Sequence, residues 1–124
     1  MNTNTDEEAV KNTIQKYVDG TYRADIPMLK SSFHEKAVMN GYLGPTLLIT
    51  DPTPFIEDIA SSPSMESRSD PYRTEIIDIH IEGCVASAAI TETGFRSNTS
   101  FVNFFHLIKI EDDWKIISKL FTTI

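Results

Sequence analysis

The chain predicts an α+β domain with its helices first and its long strands last. Two observations carry this. Over the first sixty or so positions apolar residues recur at helical spacing, whereas from Arg73 onward they alternate with period two. The stretch from Ser100 to Ile124 is two β-branched and aromatic runs around Glu111-Asp112-Asp113, which reads as a hairpin because that acidic trio marks a turn. Helices followed by antiparallel strands form an α+β layout.

Taken in order, Thr5-Asp6-Glu7-Glu8 has the pattern of a capping box. Val10, Ile14, Tyr17, Val18 and Tyr22 then form one apolar stripe, so a first helix is expected from about Asp6 to Arg23. Gly20 weakens that helix and reads as a point where a neighbour packs close, with fraying of the helix end as the alternative. Asp25 caps a second, short helix opened by Ile26 and Pro27 and ending near Ser32. Phe33 to Asn40 reads as a short extended piece, Gly41 to Pro45 as a turn, and Leu47 to Ile49 as a brief strand or a run into the next helix. Thr50-Asp51-Pro52 starts a third helix striped by Phe55, Ile56 and Ile59. The Ser- and Pro-containing stretch from Ser61 to Tyr72 is expected to be a mobile loop. Ile77, Ile79 and Ile81 alternate along one strand, Glu82-Gly83 turns, and Val85 to Thr93 returns, its alanines leaving room against the sheet.

In the final hairpin Phe101, Asn103, Phe105 and Leu107 share one face, while Val102, Phe104, His106, Ile108 and Ile110 share the other. Both faces are largely apolar, so helices would cover one and a second copy of the chain the other, giving a homodimer through the outer sheet face. Lys109, Lys115 and Lys119 are expected to lay their stems along the sheet with their charges in water.

Composition narrows the function. The 124 residues suit a single domain spanning the chain, and 40% hydrophobic with 23% charged residues is ordinary globular usage. A net charge of −7 argues against nucleic acid or an anionic membrane as partner. No apolar run approaches the ~20 residues of a membrane helix. The lone Cys84, without a signal-like apolar segment after Met1, suggests a reducing, cytoplasmic setting, and it reads as a packing thiol rather than a nucleophile. His34, His80 and His106 lack the close spacing of helix-borne zinc sites, and there is no phosphate loop, dinucleotide fingerprint or serine elbow. No metal or cofactor is expected.

With these elements placed, the segments IQKYVDGTYRADIPML, FHEKAVMNG, IIDIHIEGCVASAAI and LIKIEDDWKIISKLF resemble the nuclear transport factor 2-like superfamily, most closely its lumazine-binding branch. The resemblance covers nearly the whole chain. It implies a cystatin-like cone, a curved antiparallel sheet wrapped around a long N-terminal helix and two shorter ones, with a central pocket. The scaffold hosts isomerases, dehydratases, cyclases and plain binders, so it does not choose among them. Two departures stand out. The family often has Asp where Asn103 aligns, and Asn cannot act as a base; the usual Asp-Gly before the Trp is Glu111-Asp112-Asp113 here.

By the same resemblance, a tyrosine on the first helix and a polar residue on a late strand are the pieces to look for. Tyr17 fits the first, and Asn103 or His106 the second, depending on which face of the strand meets the cone. The expected ligand site is Tyr17, Phe33, Tyr42, Phe101, Asn103 and Phe105, suited to a planar, hydrophobic or heteroaromatic ligand. Three functions stay open: a small-molecule binder, an enzyme of the ketosteroid isomerase, dehydratase or polyketide cyclase type with Tyr17 or His106 moving a proton, and an interaction module whose pocket is filled by its own side chains.

Overall fold

The computed structural model describes residues 3–124. Helix α1 (Thr3–Arg23) and helix α2 (Ile26–Ser32) lead into strands β1 (Phe33–Leu43) and β2 (Thr46–Thr50). Helices α3 (Thr53–Ala60) and α4 (Met65–Arg68) follow, then strands β3 (Arg73–Glu82), β4 (Val85–Phe95), β5 (Thr99–Ile110) and β6 (Asp113–Thr123). The six strands form one sheet in the order β2-β1-β6-β5-β4-β3. The α+β class and the sheet packed on the first helix are as expected from the sequence. The difference lies in β1, which is long rather than short and pairs parallel with β6.

Helix α1 begins upstream of the expected cap, so Thr5 lies within its opening turns. Asp6 has a structural role instead. Its buried carboxylate accepts from Lys109 Nζ at 3.0 Å and Trp114 Nε1 at 3.4 Å, tying the helix start to the β5–β6 hairpin. The hydrogen bond from Lys109 holds the Asp6 carboxyl below its ordinary range. Asp25 caps α2 through Met28 N–H, as its position implies. Gly20 is a close approach: a Cβ there would lie 2.7 Å from the backbone nitrogen of Leu29.

The core lies between α1 and the concave face, where Val10, Ile14 and Tyr17 meet Ile90, Phe105, Leu107, Trp114 and Ile116. Phe101, Asn103, Phe105 and Leu107 are buried on this face, while Phe104 and His106 point outward and are exposed. The 61–72 stretch departs from the mobile loop expected of it. It contains α4, capped by Ser64 and anchored by buried Met65. Cys84 is exposed beside the β3–β4 turn and so is not a packing thiol.

Candidate functional site

A cavity of about 650 Å³ opens between α1, α3 and the concave face near β2. Its walls are aromatic and aliphatic, with Tyr17, Phe55, Phe95, Phe101 and Phe121 joined by Met39 and Leu48. The rings pack on one another edge to face or stacked: Tyr17–Phe55 at 6.0 Å, Phe95–Phe101 at 5.4 Å and Phe101–Phe121 at 6.2 Å between centroids. At its rim Arg96 holds the Asp58 carboxylate at 2.9 Å, linking the β4–β5 turn to α3.

The polar floor is a connected chain. Lys119 Nζ donates to Tyr17 Oη at 2.7 Å. The Tyr17 hydroxyl donates in turn to the Glu92 carboxylate, 3.2 Å from Oε1. Glu92 also accepts from the Tyr72 hydroxyl and from the side-chain amide of Asn103. That acceptor fixes the amide orientation of Asn103, since only its nitrogen can donate. Its oxygen is buried and has no hydrogen-bond partner among the described residues.

Glu92 is 2% exposed and Lys119 4%. Two opposite charges this deep need each other and their hydrogen bonds, because burying either one alone is costly. Lys119 is also boxed by rings, its Nζ 4.3 Å from the centroid of Phe55, 4.9 Å from Tyr17 and 5.3 Å from Phe121. Burial lowers the Lys119 ammonium to about 8, with the charge of Glu92 opposing the shift. Burial, then the neighbouring Glu92, pushes both the Tyr17 and Tyr72 hydroxyls well above the ordinary tyrosine value. Tyr17 therefore stays protonated and serves as a donor.

Of the residues singled out from sequence, Tyr17 and Phe101 line this cavity. Phe33 and Phe105 are buried behind it, packed edge-on against Tyr17 with centroids 6.1 and 5.1 Å away. Asn103 is fully buried and acts on Glu92 rather than lining the wall. Tyr42 lies outside: its ring is about half exposed, beside Leu120 and Phe104 on the outer face. His106 is exposed on that same outer face, so the alternation of β5 directs it away from the cavity. His34 turns back on its own strand, accepting from Lys36 N–H. Among the described residues, no group of three or more His, Cys, Asp or Glu side chains is placed to hold a metal ion.

Three residues of the polar floor are not among the site residues the sequence singles out, Glu92, Tyr72 and Lys119, and neither are the wall residues Phe55, Phe95, Phe121, Met39 and Leu48. Lys119 was expected to keep its charge in water, and the reason it does not is a β-bulge. Strand β6 pairs Ser118 with His106 but Ile116 with Leu107, so Ile117 is an extra residue. Beyond it the alternation shifts by one, and Lys119 and Phe121 join Trp114 and Ile116 on the inner face. Lys109 likewise spends its charge on Asp6 at the hairpin rather than in water. For Glu92 the signal was present. It lies two residues beyond buried Ile90, which puts it on the inward face of β4.

A curved, open sheet packed over a long helix, with a cavity between them, is the nuclear transport factor 2-like, cystatin-like fold. The family model described as "Putative lumazine-binding" matches residues 5–122, and the chain belongs to that family. Among solved structures, an NTF2-like protein of unknown function from Shewanella baltica OS155 is 24% identical, with coverage of 100% of this chain and 98% of that one and a TM-score of 0.87. Another, from Silicibacter pomeroyi DSS-3, is 22% identical with full coverage of both chains and a TM-score of 0.88. A cystatin-like domain of unknown function from Nostoc punctiforme PCC 73102 is 16% identical, with coverage of 95% and 76% and a TM-score of 0.72. At these identities the likeness concerns the fold. No curated protein matches the chain.

Proposed function

We propose that this protein binds a small planar ligand, hydrophobic or heteroaromatic, in the cavity above Tyr17. The observation that carries the reading is the pairing of aromatic walls with a small polar floor. A volume of about 650 Å³ falls in the range of small-molecule sites, roughly 300–1,000 Å³. Flat rings suit a flat ligand, and Lys119 has donor capacity beyond the bond to Tyr17 for a carbonyl or ring-nitrogen edge. Lys119 and Glu92 cancel in charge, which favours an uncharged ligand over a phosphate. The family description points to the same heteroaromatic chemistry. The test is a thermal-shift screen of heteroaromatic compounds followed by calorimetry of hits on Phe101→Ala and Lys119→Met. Unchanged affinity in both variants would remove the cavity from consideration.

A second reading, an enzyme of the ketosteroid isomerase, dehydratase or cyclase type, is favoured by one feature. Tyr17 sits between a basic and an acidic side chain, an arrangement that can relay a proton. In this reading Lys119 takes the late-strand role expected of Asn103 or His106.

The protein is further proposed to act as a homodimer in the cytoplasm. On the outer face Phe104 pairs with Leu120, Leu120 with Asn40, and Asn40 with Ile49, a row flanked by Tyr42. Phe104, Leu120, Ile49 and Tyr42 are each about half exposed or more. An apolar patch of this kind favours a second copy over water. Among the described residues, no helix is long and apolar enough to cross a membrane. Light scattering at micromolar concentration should give twice 14.0 kDa, and a monomer mass would end the proposal.

A further inference from the structure

We propose that Lys119 is a carbonyl-capturing amine, whose Nζ forms an imine with an aromatic aldehyde or ketone held between the rings of the cavity. The inference rests on the binding reading above and adds to it the class of ligand and the atom that takes it. Three features support it. Lys119 is almost fully buried yet belongs to the cavity lining, so it meets whatever enters and little else. Among the described residues its hydrogen-bond partner is a phenol rather than a carboxylate, and the hydrogen-bonded path to Glu92 runs through that phenol. The rings of Phe55, Tyr17 and Phe121 surround the amine and match the flat surface of an aryl carbonyl. Desolvated lysines in apolar pockets are the ones that serve as imine-forming nucleophiles. Because burial lowers this ammonium to about 8, about half of it carries a free lone pair at that pH.

The step balances without a further reactant. The lone pair on Nζ attacks the carbonyl carbon, and the π electrons move to the carbonyl oxygen. Tyr17 gives its hydroxyl proton to that oxygen while taking one from Nζ, and so never stands as a phenolate beside Glu92. The carbinolamine then forms the C=N bond and loses its hydroxyl, with the remaining Nζ proton, as water. The sum is amine plus carbonyl giving imine plus water, with Tyr17 unchanged.

The experiment treats the full chain with 2-naphthaldehyde and sodium cyanoborohydride, then uses intact mass and peptide mapping to locate the reduced adduct. 2-Naphthalenemethanol, which has the same rings without a carbonyl, is measured in parallel by calorimetry. The expected result is one adduct on the peptide bearing Lys119 in preference to the other six lysines, with a rate that levels off above a midpoint near pH 8. Lys119→Arg should abolish that adduct, and Tyr17→Phe should slow it about a hundredfold. Binding of the alcohol without an adduct from the aldehyde overturns the amine proposal and leaves the cavity reading standing. Adducts spread evenly over the exposed lysines overturn it too. Failure of both compounds to bind overturns the two readings together.

Discussion

Lys119 Nζ lies 2.7 Å from Tyr17 Oη, joining the last strand to the first helix across 102 positions of the chain. Tyr17 accepts from the ammonium and donates to Glu92, so one hydroxyl serves both buried charges. Replacing Tyr17 with Phe keeps the ring but strands the two ends. The variant should lose ~1–3 kcal/mol in urea unfolding. The matched change Tyr42→Phe, at an exposed ring on the outer face, should leave the midpoint where it is.

The depressed Lys119 value makes stability depend on pH. The folded state holds this proton less tightly than the unfolded chain, with about 8 against 10.5. Between those values the unfolded chain binds more protons, so stability rises with pH. The gain attributable to Lys119 is ~2 kcal/mol from pH 8 to 10, from a shift worth about 1.4 kcal/mol per unit. Above that window Tyr17 and Tyr72 reverse the trend, since their folded values are raised and the unfolded chain releases those protons first. Chemical denaturation across this range should show the rise in wild type, and Lys119→Met should flatten it.

Asp6 gives the opposite limb. Its folded value is lowered, chiefly by the hydrogen bond from Lys109, so its contribution is present above the ordinary carboxylate range and lost as pH falls through the folded value. Asp6→Asn should be less stable than wild type at neutral pH. The gap between the two should close in acid, as read from urea midpoints between pH 7 and 3. A constant gap would mean that the carboxylate charge contributes nothing.

Asn103 supports the carboxylate from behind. Asn103→Leu removes one of the donors to Glu92 and should cost ~1–3 kcal/mol while the fold survives. Its effect on ligand affinity should be smaller than that of Lys119→Met, because Asn103 is set back from the cavity. Calorimetry of any hit from the screen on both variants decides this ordering.

Gly20 offers a test of packing. On an open helix surface Gly→Ala gains ~1 kcal/mol. Here the added methyl would meet the backbone of Leu29 at 2.7 Å, which cannot move without shifting α2. Gly20→Ala should therefore lower the melting temperature, with a cost of ~1–3 kcal/mol.

The parts legible in the sequence are those decided by local pattern. The stripe of Val10, Ile14 and Tyr17, the Asp25 cap and the shared face of Phe101, Asn103, Phe105 and Leu107 all follow from spacing and occur in the structure, whereas the inward direction of that face is decided by the packing on α1. The site was only half legible. Period-two counting fails for Lys119 because the bulge at Ile117 has no residue signature of its own, being neither Gly nor Asn. Glu92 could be placed inward, but its partners Tyr17 and Tyr72 stand 75 and 20 positions away, and nothing local announces them. Tyr72 closes a Ser- and Pro-containing stretch whose composition resembles a loop, and only Met65 among its neighbours is buried deeply enough to anchor it.

The place of β6 between β1 and β5 also sets an order of events during synthesis. Strand β1 and helix α1 are made early, yet their central partner is made about eighty positions later, which at ~5–20 residues per second is a wait of ~4–16 seconds. Throughout that interval the nascent chain holds an amphipathic helix and a half-paired strand, with α2 and β2 as their partners and the sheet face that buries them still to be made. A slow codon before β6 would lengthen the period in which those apolar surfaces stay uncovered.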